Sequence, residues 1–457
     1  PSRLGLPGRD GSACIAALPV TAPNRSTVLT RRLWLVPVVV ATAVFHLTPA
    51  RDALDRAFFD AASRRPWVKP APPPDSALVL VDEASLTVLG REPYAMRWPF
   101  PRAAFAGLIA ALDRAGAAKI VMDFTFFEQS EAAEQDLMLA AVAAAVPSVV
   151  LARTAEREPV LWGPDYRVRH AAFFTTPRLG RVEFTADADG VARRYDAEAS
   201  LAAVAAGRAD AAGGLVRWYG GLEQVRTGGV PVLSAAPFLV AGLGLYERLE
   251  AAAPEFRPDE IALALADEPP LVGEAFAAVR GRTVFVGANA SGTFDVKPIP
   301  VGDVEPGVLL HWTAWGNLVT GGFIAAWPPV FSLVAGLSVI GLFAWRGPQR
   351  AGRLAFGLLG VFVGLAYAGL SAGFYFAPAT PVVATVFGLL GVVADGFLTE
   401  QRRRREVQAM FGSYVDPGVV EQLVRDPQAI RLGGEKREAT VFFCDLAGFT
   451  DLSEQVS

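Results

Sequence analysis

The 457-residue chain carries 42 Lys and Arg against 46 Asp and Glu, a formal net charge of −4, which excludes a nucleic-acid binder living on phosphate attraction. Hydrophobic residues make up 52% and charged residues 19%; soluble proteins are nearer a quarter charged, so disorder is excluded as the main state and part of the chain is expected in lipid. Two cysteines, Cys14 and Cys444, and three histidines without H-x-x-x-H spacing exclude a disulfide scaffold and a cysteine zinc site and argue against a histidine metal centre.

Residues 1–32 form a basic N-terminus, with Arg3, Arg9, Arg25, Arg31 and Arg32 against Asp10. An apolar stretch over 33–49 reads as a transmembrane anchor, with a cleaved signal peptide as the alternative because Pro37 and His46 interrupt it. A stiff Pro-rich lead-in, 66–74, follows. Strand and helix patterns then alternate: a strand at 77–82, a helix over 101–115, a strand at 120–124, an Ala-rich helix over 131–146 and a strand at 148–152. The segments 181–185 and 191–196 flank Asp187-Ala-Asp-Gly190 and predict a hairpin. A helix near 235–250, a strand at 283–288 and a helix over 306–320 complete the region. Alternation of this kind predicts an α/β domain with a mainly parallel sheet.

Three further apolar stretches follow, at 324–345, 354–376 and 381–398, each long enough for a membrane helix. The loop after the first holds Arg346, Arg350 and Arg353; the loop 377–380 has no charge; Arg402, Arg403, Arg404 and Arg405 follow the last. Basic loops stay in the cytoplasm. The expected topology is therefore a multi-pass protein of the cell inner membrane, with residues 51–323 outside and both termini inside.

In the outer region, Asp82, Glu83 and Asp123 fall at strand ends, where open α/β sheets place their ligand crevices. Arg97, Trp98 and Arg102 bracket two prolines, a pattern suited to reading an anion. Ser291-Gly292-Thr293 offers backbone N–H groups to a phosphate or carboxylate. The competing assignment for all three sets is structural: caps and tight turns. Beyond the last span, 399–432 reads as transmitter helices, the first running on from the membrane and the second starting at Asp416-Pro417. A buried strand, 439–444, then ends in Asp445 and a Gly-containing turn, an arrangement that presents a carboxylate to a cation and N–H groups to phosphate.

Two resemblances rest on longer strings. VLVDEASLTVLG (79–90), RWPFPRAAFAGLIAALDRAGAAKIVMDFTF (97–126), DADGVARRY (187–195), VFVGANASGTFDVKPIP (284–300) and EPGVLLHWTAWGNLVTGGFI (305–324) resemble the type-2 CHASE domain, an extracytoplasmic sensor module of bacterial signalling receptors. This covers 50–322; the stretch 197–260 departs from the pattern. FGSYVDPGVVEQLV (411–424) and GGEKREATVFFCDLAGFTDLSE (433–454) resemble the entry to the catalytic domain of class III nucleotide cyclases, an α+β domain that would begin at 433–457. That resemblance implies Asp445 and the Leu446 carbonyl as ligands of Mg²⁺ or Mn²⁺, with Leu446, Ala447, Gly448, Phe449 and Thr450 along the triphosphate of ATP. It also implies a homodimer. The family's second metal aspartate and its base-selecting residues fall downstream of Ser457, so this stretch alone is expected to be catalytically incomplete. Adenylate output, guanylate output and a non-enzymatic sensor or dimerisation fragment remain as alternatives.

Overall fold

The computed structural model describes residues 34–128, 130–155, 178–293, 295–346 and 350–412, together with 438 and 440–443. Two units make up the chain, 1–392 and 393–457.

In the first unit, helix α1 (Leu35–His46) leads into α2 (Pro49–Ser63), which begins at a proline, a residue preset for the first helical turn. Strand β1 (Ser76–Val81) follows, then α3 (Glu83–Leu89), α4 (Arg102–Arg114), β2 (Lys119–Met122), α5 (Ala133–Ala145), β3 (Val149–Arg153) and β4 (Leu179–Arg181). Later come β5 (Val232–Ser234), α6 (Ala236–Ala252), α7 (Pro258–Asp267), β6 (Thr283–Ala288) and α8 (Gly307–Thr320). The sheet is six-stranded and wholly parallel, in the order β4-β3-β2-β6-β1-β5. All six residues of β1 are buried. A parallel sheet covered on both faces needs such continuous aliphatic strands rather than an alternating pattern.

One face of the sheet, through Val79, Ile120, Leu151 and Val286, packs under α4, α5, α6 and α7. The other, through Leu80, Val121, Val150 and Phe285, packs under α2, the short helix Leu201–Ala205 and α8. Helices α4 and α6 cross at two glycines: a Cβ on Gly107 would lie 2.3 Å from the Gly242 carbonyl oxygen, and one on Gly242 would lie 2.4 Å from the Gly107 carbonyl. Only glycine permits that approach, and it draws the α4–α6 layer tight over the centre of the sheet.

The expected strands and helices of the outer region recur within a few residues of their bounds, except the hairpin. The Asp187–Gly190 turn forms, with Gly190 N–H donating to Asp187 O at 2.8 Å. Its flanks do not pair with each other. Residues 179–181 join the large sheet, and Arg194–Tyr195 pair antiparallel with Gly214–Leu215. The reason is Arg193. Its guanidinium turns inward, 3% exposed, and binds Asp60 of α2 as well as Asp187 and Asp189, so the turn's acids fold back on it.

Among the described residues three helices are long and apolar enough to cross a membrane: α9 (Pro329–Arg346), α10 (Ala351–Ala372) and the apolar part of α11 (Ala379–Gly412). Phe331, Leu337, Phe356, Leu365 and Leu390 are exposed on them, the surface that lipid rather than water would cover. The expected anchor is shorter: α1 has 12 residues, about 18 Å of rise against a hydrocarbon core of about 30 Å. Helix contacts in this region use Gly336, Gly388 and Gly391; Gly360 and Gly364 of α10 meet nothing within 4 Å among the described residues. Helix α1 and the 49–63 helix are tied to the start of α11. His46 Nδ1 lies 2.9 Å from Thr380 Oγ1, the Asp55 carboxylate accepts the Ala379 N–H at 2.9 Å, and Tyr375 Oη donates to the Asp55 carbonyl at 2.8 Å.

The second unit opens with the remainder of α11, which runs without a break to Gly412 and carries an Arg404–Glu400 ion pair one turn apart. Residues 399–412 of the expected transmitter segment fall in this helix, and 413–432 lie outside the described residues.

Candidate functional site

Chain direction decides where a crevice opens. After β2 the chain turns to α5 on one face of the sheet; after β6 it turns to α8 on the other. Because β2 and β6 are neighbours, their carboxyl ends part company there. This is a topological switch point, the position where open α/β sheets bind ligands. A cavity of about 610 Å³ lies at it, within the usual range for small-molecule sites.

Its floor is polar. Asp123, the first residue after β2, anchors its own N–H on the Val286 carbonyl at 2.8 Å. Its carboxylate is 9% exposed, and the nearest imidazole nitrogen, Nε2 of His311, stands 3.7 Å away. His311 comes from α8, and its Nδ1 lies 2.7 Å from the Tyr195 hydroxyl. Asp295, after β6, packs against the first turn of α8: a Cβ on Gly307 would lie 2.5 Å from its carboxylate and would push that carboxylate aside. Lys297 Nζ is 3.5 Å from Asp295.

Burial sets the protonation pattern. It drives the Asp123 carboxyl well above the ordinary carboxylate range, the Asp295 charge adds to that rise, and Lys297 opposes it. Asp295 is raised too, first by burial, with Lys297 again opposing. Burial, then Lys297, lowers His311 to about 4, so the imidazole is neutral near pH 7. Burial also raises the Tyr195 hydroxyl, which stays protonated.

The walls are aromatic. Trp98 lies 6.1 Å from Phe124, and Phe105 packs 5.0 Å from Phe124 and 5.3 Å from Phe126, centroid to centroid. Arg102 sits 4.9 Å over Phe126 while binding Asp136 at 3.1 Å; Lys297 sits 5.5 Å over Phe184.

The sequence-derived candidates divide accordingly. Asp123, Trp98, Arg102 and Thr293 line the cavity; Arg97 is exposed and does not. Asp82 is an N-cap, accepting the Ser85 N–H at 2.9 Å and the Ser234 hydroxyl at 2.7 Å. Glu83 accepts the Ser291 N–H at 2.7 Å, so Ser291–Thr293 is a turn held by the protein itself, the structural assignment rather than an anion cradle. Residues that only the structure brings in are Tyr195, Asp295, Lys297 and His311. The D-V-K step of the 284–300 string was the sequence signal for Asp295 and Lys297; Tyr195 and His311 stand in the 187–195 and 305–324 strings with nothing local to mark them as crevice residues. Asp445, Leu446, Ala447, Gly448, Phe449 and Thr450 lie outside the described residues. Among the described residues no group of three or more His, Cys, Asp or Glu is placed to hold a metal ion.

CHASE2 domains are sensor modules typical of signalling receptors. The chain belongs to the CHASE2 domain family, whose profile matches residues 36–345, well over half its length. The match runs from α1 to the end of α9 and includes the segment 197–260, which supplies β5 and all of α6. No curated protein and no solved structure matches the chain.

Proposed function

We propose that this chain is the sensing and membrane part of a receptor-type class III adenylate cyclase of the inner membrane, with residues 51–323 outside and both termini in the cytoplasm. The observation that carries the sensing half is the aromatic-walled cavity at the switch point, about 610 Å³, in a CHASE2 domain flanked by apolar helices. The catalytic half rests on the string ATVFFCDLAGFTDLSE, 439–454. In this reading Asp445 and the Leu446 carbonyl hold Mg²⁺ or Mn²⁺, and residues 446–450 lie along the triphosphate of ATP. Such ions would stabilise the negative charge on the attacking ribose 3′-oxygen and on the pyrophosphate that leaves the α-phosphorus. Catalysis of this type uses paired halves, so the working unit is a homodimer in the lipid bilayer.

The test is an Asp445→Asn substitution in a chain extended through a complete catalytic domain. An amide keeps the shape and removes the anionic ligand. Cyclic AMP formation in membranes with equal protein amounts should fall on the order of a thousand-fold. If Asp445 merely caps the turn, Asn serves nearly as well and activity stays near normal; that result removes the assignment.

A further inference from the structure

We propose that the crevice binds a small organic cation, an ammonium whose N–H groups meet the Asp123 carboxylate between the rings of Trp98, Phe105 and Phe124. This rests on reading the crevice as the sensor's ligand site.

Charge supplies the first argument. The crevice is lined by Asp123, Asp295 and Glu183 against Arg102 and Lys297. Arg102 is spent on Asp136 at 3.1 Å and on the Glu128 carbonyl at 2.7 Å. Lys297 leans on Asp295 at 3.5 Å. Asp123 is left: nine-tenths buried, facing the cavity, with no hydrogen-bond donor to its carboxylate among the described residues and with His311 too far at 3.7 Å. A buried carboxylate without a donor costs several kcal/mol if ionised, and a cationic ligand is the partner that removes the cost.

The walls supply the second. Two of the protein's own cations already rest on rings of this crevice, Arg102 on Phe126 and Lys297 on Phe184. Trp98, Phe105 and Phe124 stand beside them, and aromatic faces attract cations. An anion finds the opposite. The N-terminus of α8 is its natural seat, but Asp295 holds that place, with its carbonyl accepting the Gly307 N–H at 2.9 Å and its carboxylate packed on Gly307.

The experiment uses the full chain in detergent, with thermal unfolding as the readout. The probes are ethanolamine, putrescine and 2-phenylethylamine as their hydrochlorides, with sodium phenylacetate and manganese chloride as contrasts. Three variants accompany it: Asp123→Asn, Trp98→Leu, and Thr293→Trp, which fills the cavity. At least one ammonium probe should raise the unfolding temperature of the parent chain. Its affinity should fall more than tenfold in Asp123→Asn, about three- to tenfold in Trp98→Leu, and vanish in Thr293→Trp. Circular dichroism of unliganded Asp123→Asn should match the parent, which separates lost binding from lost folding. No shift with any ammonium, or a shift that survives Asp123→Asn, overturns the proposal. A phenylacetate shift abolished only by Thr293→Trp would keep the crevice as a ligand site and refute the cation. A manganese shift that depends on Asp123 would refute the organic ligand in favour of a metal ion.

Discussion

Arg193 offers the sharpest test of how the outer domain is held together. All five of its N–H groups are used: Nε and Nη2 on Asp60 at 2.7 Å each, Nη1 on Asp187 at 2.9 Å and Asp189 at 2.8 Å, and Nη2 again on Asp189 at 2.9 Å. Those contacts, with the Arg56–Asp189 pair, hold the Asp189 carboxyl down to about 2. Arg193→Ala leaves three acids facing one another without their shared cation. Breaking a buried pair by removing one partner costs about 3–5 kcal/mol, and a domain of this size loses about 2–4 °C per kcal/mol. The unfolding temperature should therefore drop by on the order of 10 °C. Arg193→Lys keeps the charge but offers a compact ammonium in place of a planar fork, and should lose roughly half as much. Adding Asp187→Asn and Asp189→Asn to Arg193→Ala should restore part of the loss, because the cost is uncompensated charge. Tryptophan fluorescence of the full chain in detergent reads all of this. The effect should reach the crevice as well, since Tyr195, two residues on, is the partner of His311. If Arg193→Ala unfolds within about 1 °C of the parent, or if the added Asn residues give no recovery, the hub is not what orders this loop.

Two further substitutions test packing and titration. Gly107→Ala should destabilise by about 1–3 kcal/mol or more, because its Cβ would sit 2.3 Å from backbone and the α4–α6 crossing must open. Gly242→Ala should cost a similar amount, and the double variant less than the sum, as one opening relieves both. Burial raises the Asp55 carboxyl from 3.8 to about 6, against the opposing Ala379 hydrogen bond. A raised pKa means that its contribution to stability is full below pH 3.8 and is lost as pH rises through about 6. Asp55→Asn keeps an acceptor for Ala379 and should be more stable than the parent near pH 7 by up to roughly 3 kcal/mol. Urea midpoints between pH 4 and 7 should be flatter for the variant, and an unchanged slope would remove Asp55 as the titrating group.

The aliphatic runs at 77–82, 120–124, 148–152 and 283–288 could be read because a parallel sheet covered on both faces needs continuous apolar strands. The crevice was half legible. Asp123 announces itself as an acid at the end of such a run, but its partners come from 170 to 190 positions further along, brought in only because β6 inserts between β1 and β2. Nothing local marks His311, inside an apolar helix pattern, as a crevice residue. The hairpin misled because Asp-Ala-Asp-Gly does make a turn. The path of the chain beyond that turn is set by Arg193 reaching Asp60, 133 residues away in sequence, a contact that period-two patterning does not encode. Asp82 and Glu83 show the reverse: strand-end acids that turned out to cap the protein's own N–H groups.

The central claim is that the crevice-bearing domain lies outside the membrane and that three apolar helices return the chain to the cytoplasm. Alkaline phosphatase fusions after residues 200, 348 and 410, expressed at equal levels in a Gram-negative host, address it directly. The account predicts activity at 200 alone, because the phosphatase folds only outside the cytoplasm and the Arg-rich segments at 346–353 and 402–405 stay inside. Activity at 348 or 410, or silence at 200, would contradict it.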